Sequence, residues 1–463
     1  MNPQPGKRNV GWGARAGARS MGRRDFLSAG AKAAAAAAVA GPLLAACGSS
    51  PSGTSSATSK GDDVLTIGLP IFPKNFAATQ KLLTTFEKSS GISVNLFTTN
   101  TASNTWVAVF QEISTRLAGG QPMDSANIAT EGMLLFEEQG LLEPLDSYIA
   151  GDQAFMNQFY ADVNPQVLAS FKQLDDLKGH TYFIPYAYNV MSIWYNPSLF
   201  KAHNVPAPAP GWTWDDFEKA CTAIAKAPSR YGYAISTPTP GPFIDIYPWV
   251  LTNNGPLLNA AQSECVADNP AAIEAASFVR GLVTKGLANS PGGSYNQFSA
   301  MAAGNLGMFG GGVWPNDDIP LPQAQINKQF AIAPWPKNAT NGTPVGLAGL
   351  PIFKSTKNKK ALWEFIKFTL SEDFQQTHEL AFSGGMPMRN SAAKVAAAAM
   401  PPGADYFVSE LAYSTMIVGV PNGSAVENEM STVWEQILTG AVSPADGMKT
   451  MQANCTQLMK QSV

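Results

Sequence analysis

Val64-Leu65-Thr66-Ile67-Gly68-Leu69, followed by Phe86-Glu87-Lys88-Ser89-Ser90-Gly91-Ile92-Ser93-Val94, decides the fold class of this chain. The first run is short and apolar, as a buried strand is. From Asn75 the spacing predicts a helix with Ala78, Leu82, Leu83 and Phe86 on one face, stopped by Gly91. Ile92–Leu96 then alternates as a half-buried strand. Trp106, Phe110, Ile113 and Leu117 recur at steps of three and four, which predicts an amphipathic helix ended by Gly119-Gly120. A third strand is expected over Ser125–Ala129, with a helix running to Gln139 before Gly140. Strands and helices alternating in this way make an α/β layer with a parallel sheet.

The same reading continues downstream. Thr213-Trp214-Asp215-Asp216 opens a helix at a Thr N-cap, with acidic residues in the first turn where the helix dipole favours them. Helices are predicted from Pro270 through Leu282, and over Lys357–Leu370, Ala425–Leu438 and Pro444–Lys460. Pro-rich breaks fall at Pro206–Gly211, Pro238–Pro242 and Pro315–Pro322. Alternating elements over some 400 residues predict two α/β lobes.

The chain has 463 residues, of which 14% are charged and 45% hydrophobic, and its formal net charge is −3. That composition is too apolar for disorder, and the slight acidic balance argues against nucleic acid as a partner. Three His and four Cys leave little material for soft-metal sites. The charge is unevenly placed. Residues 1–46 carry seven Lys or Arg against Asp25, a balance of +6 that leaves −9 for the rest. A basic stretch, an apolar run Ala29–Ala40 too short to span a bilayer, and Leu44-Ala45-Ala46-Cys47 follow one another there. Gly22-Arg23-Arg24-Asp25-Phe26-Leu27 resembles a twin-arginine export motif, and Leu44–Cys47 resembles the lipobox of bacterial lipoproteins. The resemblance implies a signal peptide over residues 1–46 and a lipidated Cys47. It also implies a flexible tether over residues 47–61 and a place of work on the outer face of the cell membrane. Cys221, Cys265 and Cys455 remain. An odd number in an oxidising compartment predicts one disulfide, expected as Cys221–Cys265, plus one buried thiol; three buried free cysteines are the other reading.

Phe86–Val94 resembles the "FE-K-x-x-GI-x-V" element of family 1 extracellular solute-binding proteins, the carbohydrate-capturing lipoproteins of ABC importers. Ile184-Pro185-Tyr186 with Trp194-Tyr195-Asn196-Pro197-Ser198-Leu199-Phe200 is similar to that family's "G-x-P … YN-x-x-LF" segment. Trp212–Phe217 resembles "P-x-TWDEF", Ala302–Met308 resembles "F-x-x-GKAAM", and Asn358–Phe368 resembles "K-x-K-x-AA-W-EFIKFL". Leu117–Asp124 stands where the family has "ASG…PD", with Met123 interrupting the Pro-Asp pair. The matches keep family order from about Val64 to Gly447. The resemblance implies a two-lobe periplasmic-binding-protein fold with a hinge and an interlobe ligand cleft that closes on sugar. It places hinge crossings near Tyr186–Val190, near Gly342–Val345 and after Met386-Pro387-Met388-Arg389. The N-terminal lobe is then expected over 62–187 plus 345–388, and the C-terminal lobe over 188–344 plus 389–463.

A sugar site needs aromatic platforms for C–H faces and short-range carboxylate, amide or backbone groups for hydroxyls. Gly310-Gly311-Gly312-Val313-Trp314 is the leading candidate, because glycines admit a ligand close to the backbone and Trp314 follows on a loop; a plain glycine turn is the alternative. The maltose-binding branch carries a Gly-x-Trp at that place whose Trp stacks on sugar. Thr130 and Glu131 fall at the C-terminal end of a strand, where open α/β sheets bind ligands, although an acidic residue in a first helical turn is equally served there. Asn189, with Tyr186 beside it, occupies the first crossing at the place of a family Glu. Asp245 and Trp249 follow Pro242, where the family presents aromatics from the second lobe. Trp434 sits in a late helix in a Met-Ser-x-x-Trp pattern, with core packing as its rival. Lys74 follows the first strand and reads as readily as a surface lysine. No metal and no cofactor is implied.

Enzyme signatures fail: His378-Glu379-Leu380-Ala381-Phe382 lacks the second His of a zinc protease, and no Gly-x-Ser-x-Gly elbow occurs. The expected partners are a carbohydrate, the permease subunits of an ABC transporter and the membrane through the lipid, with the protein a monomer. A non-sugar solute in the same fold and an extracytoplasmic carbohydrate-active enzyme are the alternatives.

Overall fold

A computed structural model describes residues 64–69, 75–99, 106–226, 230–237, 239–377 and 384–461, without the side chains of 173–178 and 377. The proposed signal peptide, Cys47, the tether, Lys74 and the His378–Phe382 motif lie outside the described residues.

The first sheet follows from the opening motif. Strand β1 (Val64–Leu69) pairs in parallel with β2 (Ser93–Thr98) and with β3 (Ser125–Ala126). The helix Phe76–Ser90 buries Thr79, Leu82, Leu83 and Phe86 and ends at left-handed Gly91. Thr79 takes the inward position predicted for Ala78, which is exposed. The helix Trp106–Ala118 buries Val109, Phe110 and Ile113. One expectation is corrected: Ser125–Ala129 is not one strand. Asn127 interrupts it, donating its N–H to Gly68 O at 2.8 Å and accepting from Tyr186 Oη at 2.6 Å. The chain thereby leaves the first sheet and enters a second as β4 (Ile128–Ala129).

That second sheet is the meeting place of the molecule. It contains β5 (Pro185–Val190), β10 (Thr343–Gly349), β11 (Met386–Pro387) and β12 (Ser414–Met416); β10 is flanked by β5 and β12 and also pairs with β4. The third sheet has the order β7 (Tyr231–Ala234), β8 (Leu306–Gly311), β6 (Ser192–Tyr195), β9 (Ala331–Ala333). Met191 alone separates β5 from β6, so one short step carries the chain from the second sheet to the third. Thr343 clamps that step: its hydroxyl accepts from Met191 N at 3.1 Å and donates to Met191 O at 2.7 Å. After β11 the chain reaches β9, where Ile332 N donates to Pro402 O at 2.8 Å, and returns to the second sheet as β12.

Helices cover the sheets as their caps predict. Trp214–Ile224 starts in a capping box in which Thr213 and Asp216 satisfy each other's backbone N–H. Pro270–Thr284, Gly423–Thr439 and Pro444–Met459 pack together over a core that includes Trp249, Met430, Trp434 and Met451. No described helix is long and apolar enough to cross a membrane.

Candidate ligand-binding site

Three elements converge on Gly346 of β10. Asn189 of β5 is its partner in register. A Cβ at Gly346 would lie 3.3 Å from the Phe243 ring and 3.5 Å from Glu131 Oε1, so a bare backbone lets both groups close over the strand. Asn189 leads onward to the glycine loop after β8. Its Oδ1 accepts from Val313 N at 2.9 Å, and a Cβ at Gly312 would meet that oxygen at 2.5 Å and the Trp314 ring at 2.3 Å. Trp314 is half-buried and opens the short helix Pro315–Asp318. Trp194 steadies the loop from beneath by donating Nε1–H to Gly312 O at 2.9 Å, and its ring abuts Gly311. Asp317 in the same helical turn accepts from Asn75 Nδ2 at 2.8 Å, which ties the start of the first sheet's helix to this loop.

Thr130 and Glu131 begin the helix Thr130–Glu138 where β4 ends. Thr130 Oγ1 accepts from Leu347 N at 3.3 Å and lies 3.3 Å from Glu131 Oε2, so the carboxylate is positioned by β10 through its neighbour. Gly419 N donates to Thr130 O at 3.0 Å, and a Cβ at Gly419 would lie 2.6 Å from Glu131 O; the segment leading into the helix Gly423–Thr439 therefore sits directly on this turn. Glu427, one turn inside that helix, is half-buried. Burial pushes the Glu131 carboxyl up to about 7, against its backbone and Thr130 hydrogen bonds. Burial, followed by the charge of Glu131, pushes Glu427 up to about 8. Tyr247 is raised chiefly by its own burial and then by Glu427, with Glu131 contributing less. The result is a pair of carboxyls that hold protons near neutrality beside the Tyr247 phenol.

These shifts have a sign for stability. The folded protein holds the Glu131 proton more tightly than the unfolded chain, so the cost is absent below the ordinary carboxylate pKa and grows as pH rises through about 7. A displacement of this size corresponds to about 3 kcal/mol. Glu131→Gln is therefore expected to raise the melting temperature of the ligand-free protein at pH 8 and to leave it unchanged at pH 4. Thermal denaturation at the two pH values checks this; a variant less stable than wild type at pH 8 contradicts it.

Several sequence candidates belong elsewhere. Trp249 is fully buried, ringed by Trp214, Phe217, Tyr233, Phe278 and Trp335 at centroid distances of 5.1–5.9 Å, and offers no face to a ligand. Trp434 is likewise fully buried in the same core. Asp245 is buried and accepts from Ser236 N at 3.2 Å and Gly241 N at 2.9 Å, so its carboxylate closes the turn Pro242–Ile246. Burial raises it to about 6, with those backbone bonds opposing. Tyr186 is buried and its hydroxyl is taken by Asn127. The Cys221–Cys265 pairing is also corrected: Cys221, Cys265 and Cys455 are free buried thiols, and Cys265 neighbours Cys455 instead. Thr130, Glu131, Asn189, Gly311, Gly312 and Trp314 do lie along one continuous path.

Phe243, Asp317 and Glu427 were not singled out from the sequence. Glu427 precedes Trp434 by two helical turns and so shares its face, a signal too common to single it out. Among the described residues no three His, Cys, Asp or Glu gather to hold a metal. A hollow of about 280 Å³ lies by Val345 and Leu347, which alternate with Gly346 along β10 and so point to the other side of the strand from Glu131 and Phe243.

Two α/β sheets joined through a shared hinge sheet, with a polar and aromatic lining beside it, define the architecture of a bilobal binding protein. The chain belongs to the bacterial extracellular solute-binding protein family, whose profile matches residues 70–376. A binding protein of Brucella abortus (strain 2308) is 22% identical over 369 residues, covering 77% of this chain and 84% of its own. The maltotriose-binding protein of Pyrococcus abyssi is 26% identical over 259 residues, covering 54% of this chain and 51% of its own. An ABC substrate-binding protein of Listeria monocytogenes, solved in complex with cycloalternan, superposes with a TM-score of 0.74 at 22% identity, covering 86% of this chain and 99% of that one. At that identity the likeness speaks for the fold, which is the two-lobe α/β fold.

Proposed function

We propose that the protein is an extracytoplasmic receptor that captures a sugar or oligosaccharide between its lobes and delivers it to an ABC importer. The convergence of Glu131, Asn189 and Phe243 around Gly346, with the Gly312–Trp314 loop held on Asn189, carries this reading. Phe243 and Trp314 supply flat apolar faces for sugar C–H groups. Asn189, Thr130 and the loop backbone supply short-range donors and acceptors for hydroxyls, and no nucleophile is required. Glu131 and Glu427, protonated in part at neutral pH, donate as well as accept. Family membership and the sugar-binding relatives support the substrate class.

Lobes over 62–187 plus 345–388 and 188–344 plus 389–463 close on the ligand, and contacts with both favour the closed state. The Asn75–Asp317 bond joins the two lobes directly. A twin-arginine leader exports the receptor, acylated Cys47 holds it, as a monomer, at the outer face of the membrane, and it catalyses no reaction. A thermal-shift screen over mono- and oligosaccharides tests the reading. A sugar that raises the melting temperature in a saturable way is the expected result; a panel without any shift counts against it.

The Glu131–Glu427 pair favours one other ligand class, a solute carrying a protonated amine. An amine-bearing sugar that gains affinity from pH 5 to pH 7, where its ammonium keeps its proton while Glu131 ionises, with no such gain for its neutral counterpart, would select that class.

A further inference from the structure

Cys221, Cys265 and Cys455 are buried free thiols, and two of them lie together. Cys265 forms a short antiparallel bridge with Leu258, and the segment after it runs along the helix Pro444–Met459. Cys265 Sγ is 3.9 Å from Met451 O, and Asp268 N donates to Gln452 Oε1 at 2.9 Å. Met451 stands one turn before Cys455, so its carbonyl is the helical acceptor for the Cys455 N–H. The Cys265 sulfur therefore rests against the turn that carries Cys455, and the two thiols influence each other's ionisation. Cys455 Sγ also lies 3.9 Å from Val426 O, in the residue before Glu427. Cys221 is elsewhere, its Cα 2.3 Å from where a Cβ at Gly232 of β7 would stand.

We propose that Cys265 and Cys455 form a disulfide, joining the segment around Leu258–Asp268 to the last helix. The electron acceptor is a disulfide of a thiol–disulfide exchange partner. The Cys265 thiolate attacks one sulfur of that disulfide, and the displaced thiolate takes up the proton Cys265 has lost. The Cys455 thiolate then attacks Cys265 Sγ in the mixed disulfide, the Sγ–Sγ bond forms, and the second thiolate leaves and takes the Cys455 proton. Two protein thiols are oxidised and one disulfide is reduced to two thiols. The order follows from the pair itself. The interaction between the two thiols holds the Cys265 pKa down and pushes that of Cys455 up, so Cys265 is the attacking group. Cys455 Sγ rests on the carbonyl of Val426, the neighbour of Glu427, which puts the cross-link behind one wall of the proposed cleft.

The test equilibrates the purified full chain with oxidised glutathione, alkylates it with N-ethylmaleimide in denaturant and maps the peptides by mass spectrometry. The expected product is a peptide pair linked through Cys265 and Cys455, two hydrogens lighter than its parts, with Cys221 recovered alkylated. Cys221→Ser should give the same link. Because the bond closes a loop of roughly 190 residues, it should raise the melting temperature by about 5 °C, a rise removed by dithiothreitol and absent from Cys455→Ser. Recovery of Cys265 and Cys455 both alkylated, or a link that uses Cys221, overturns the proposal. The peptide map needs no variant, so a Cys455→Ser chain that fails to fold leaves the test intact.

Discussion

Trp314→Ala is expected to weaken sugar binding about 100-fold, a loss of ~2.7 kcal/mol, with little change in the stability of the ligand-free protein. Trp314 is half-buried, at the edge of the second core, and its ring lies over Gly312 beside Asn189. Removing it takes away an aromatic platform from the proposed cleft and leaves the loop backbone anchored through Trp194 and Asn189. Calorimetric titration of wild type and variant with a sugar that shifts the wild-type melting curve measures the ratio. Equal affinities would remove Trp314 from the site.

Trp249→Ala should do the reverse. This side chain is fully buried among five aromatic rings, and its loss opens a cavity that the surrounding rings cannot refill without leaving their edge-to-face contacts. A destabilisation of about 3–5 kcal/mol is expected, read as a lower urea midpoint at unchanged slope. Sugar affinity of the fraction that remains folded should stay within a few-fold of wild type. A variant that keeps its midpoint and loses sugar would place Trp249 in the cleft after all. The two tryptophans thus separate recognition from folding: one change falls on affinity, the other on stability.

The contrast also shows how far the residues spoke before the fold was known. Gly91 ends a helix and Thr213 caps one through purely local chemistry, and both were legible. Trp314 reads as a loop position because Gly312 follows a strand and Pro315 starts a new helix, and it does stand in the short link between β8 and Pro315–Asp318. Trp249 looked similar, placed shortly after Pro242 and before Asn253-Asn254-Gly255, yet the turn Pro242–Ile246 aims the next helix inward and sends the ring to the core. The break at Asn127 was hidden for a different reason. Its partners Gly68 and Tyr186 are far away in sequence, and only their arrival divides one apolar run between two sheets. Glu427 was invisible on the same account, since its significance lies in its approach to Glu131, which the packing of Gly419 and Gly423 on that turn brings about.

A sugar held in the proposed cleft is expected to leave it unchanged. Titration calorimetry of the full chain with maltose, maltotriose and a cyclic glucose oligosaccharide, followed by assay of the recovered sugar for new reducing ends, addresses it most directly. Saturable heat at one site is expected, with a dissociation constant on the order of micromolar, equivalent to about −8 kcal/mol, and a sugar recovered unchanged. Heat from none of them, or a recovered sugar carrying new reducing ends, would contradict it.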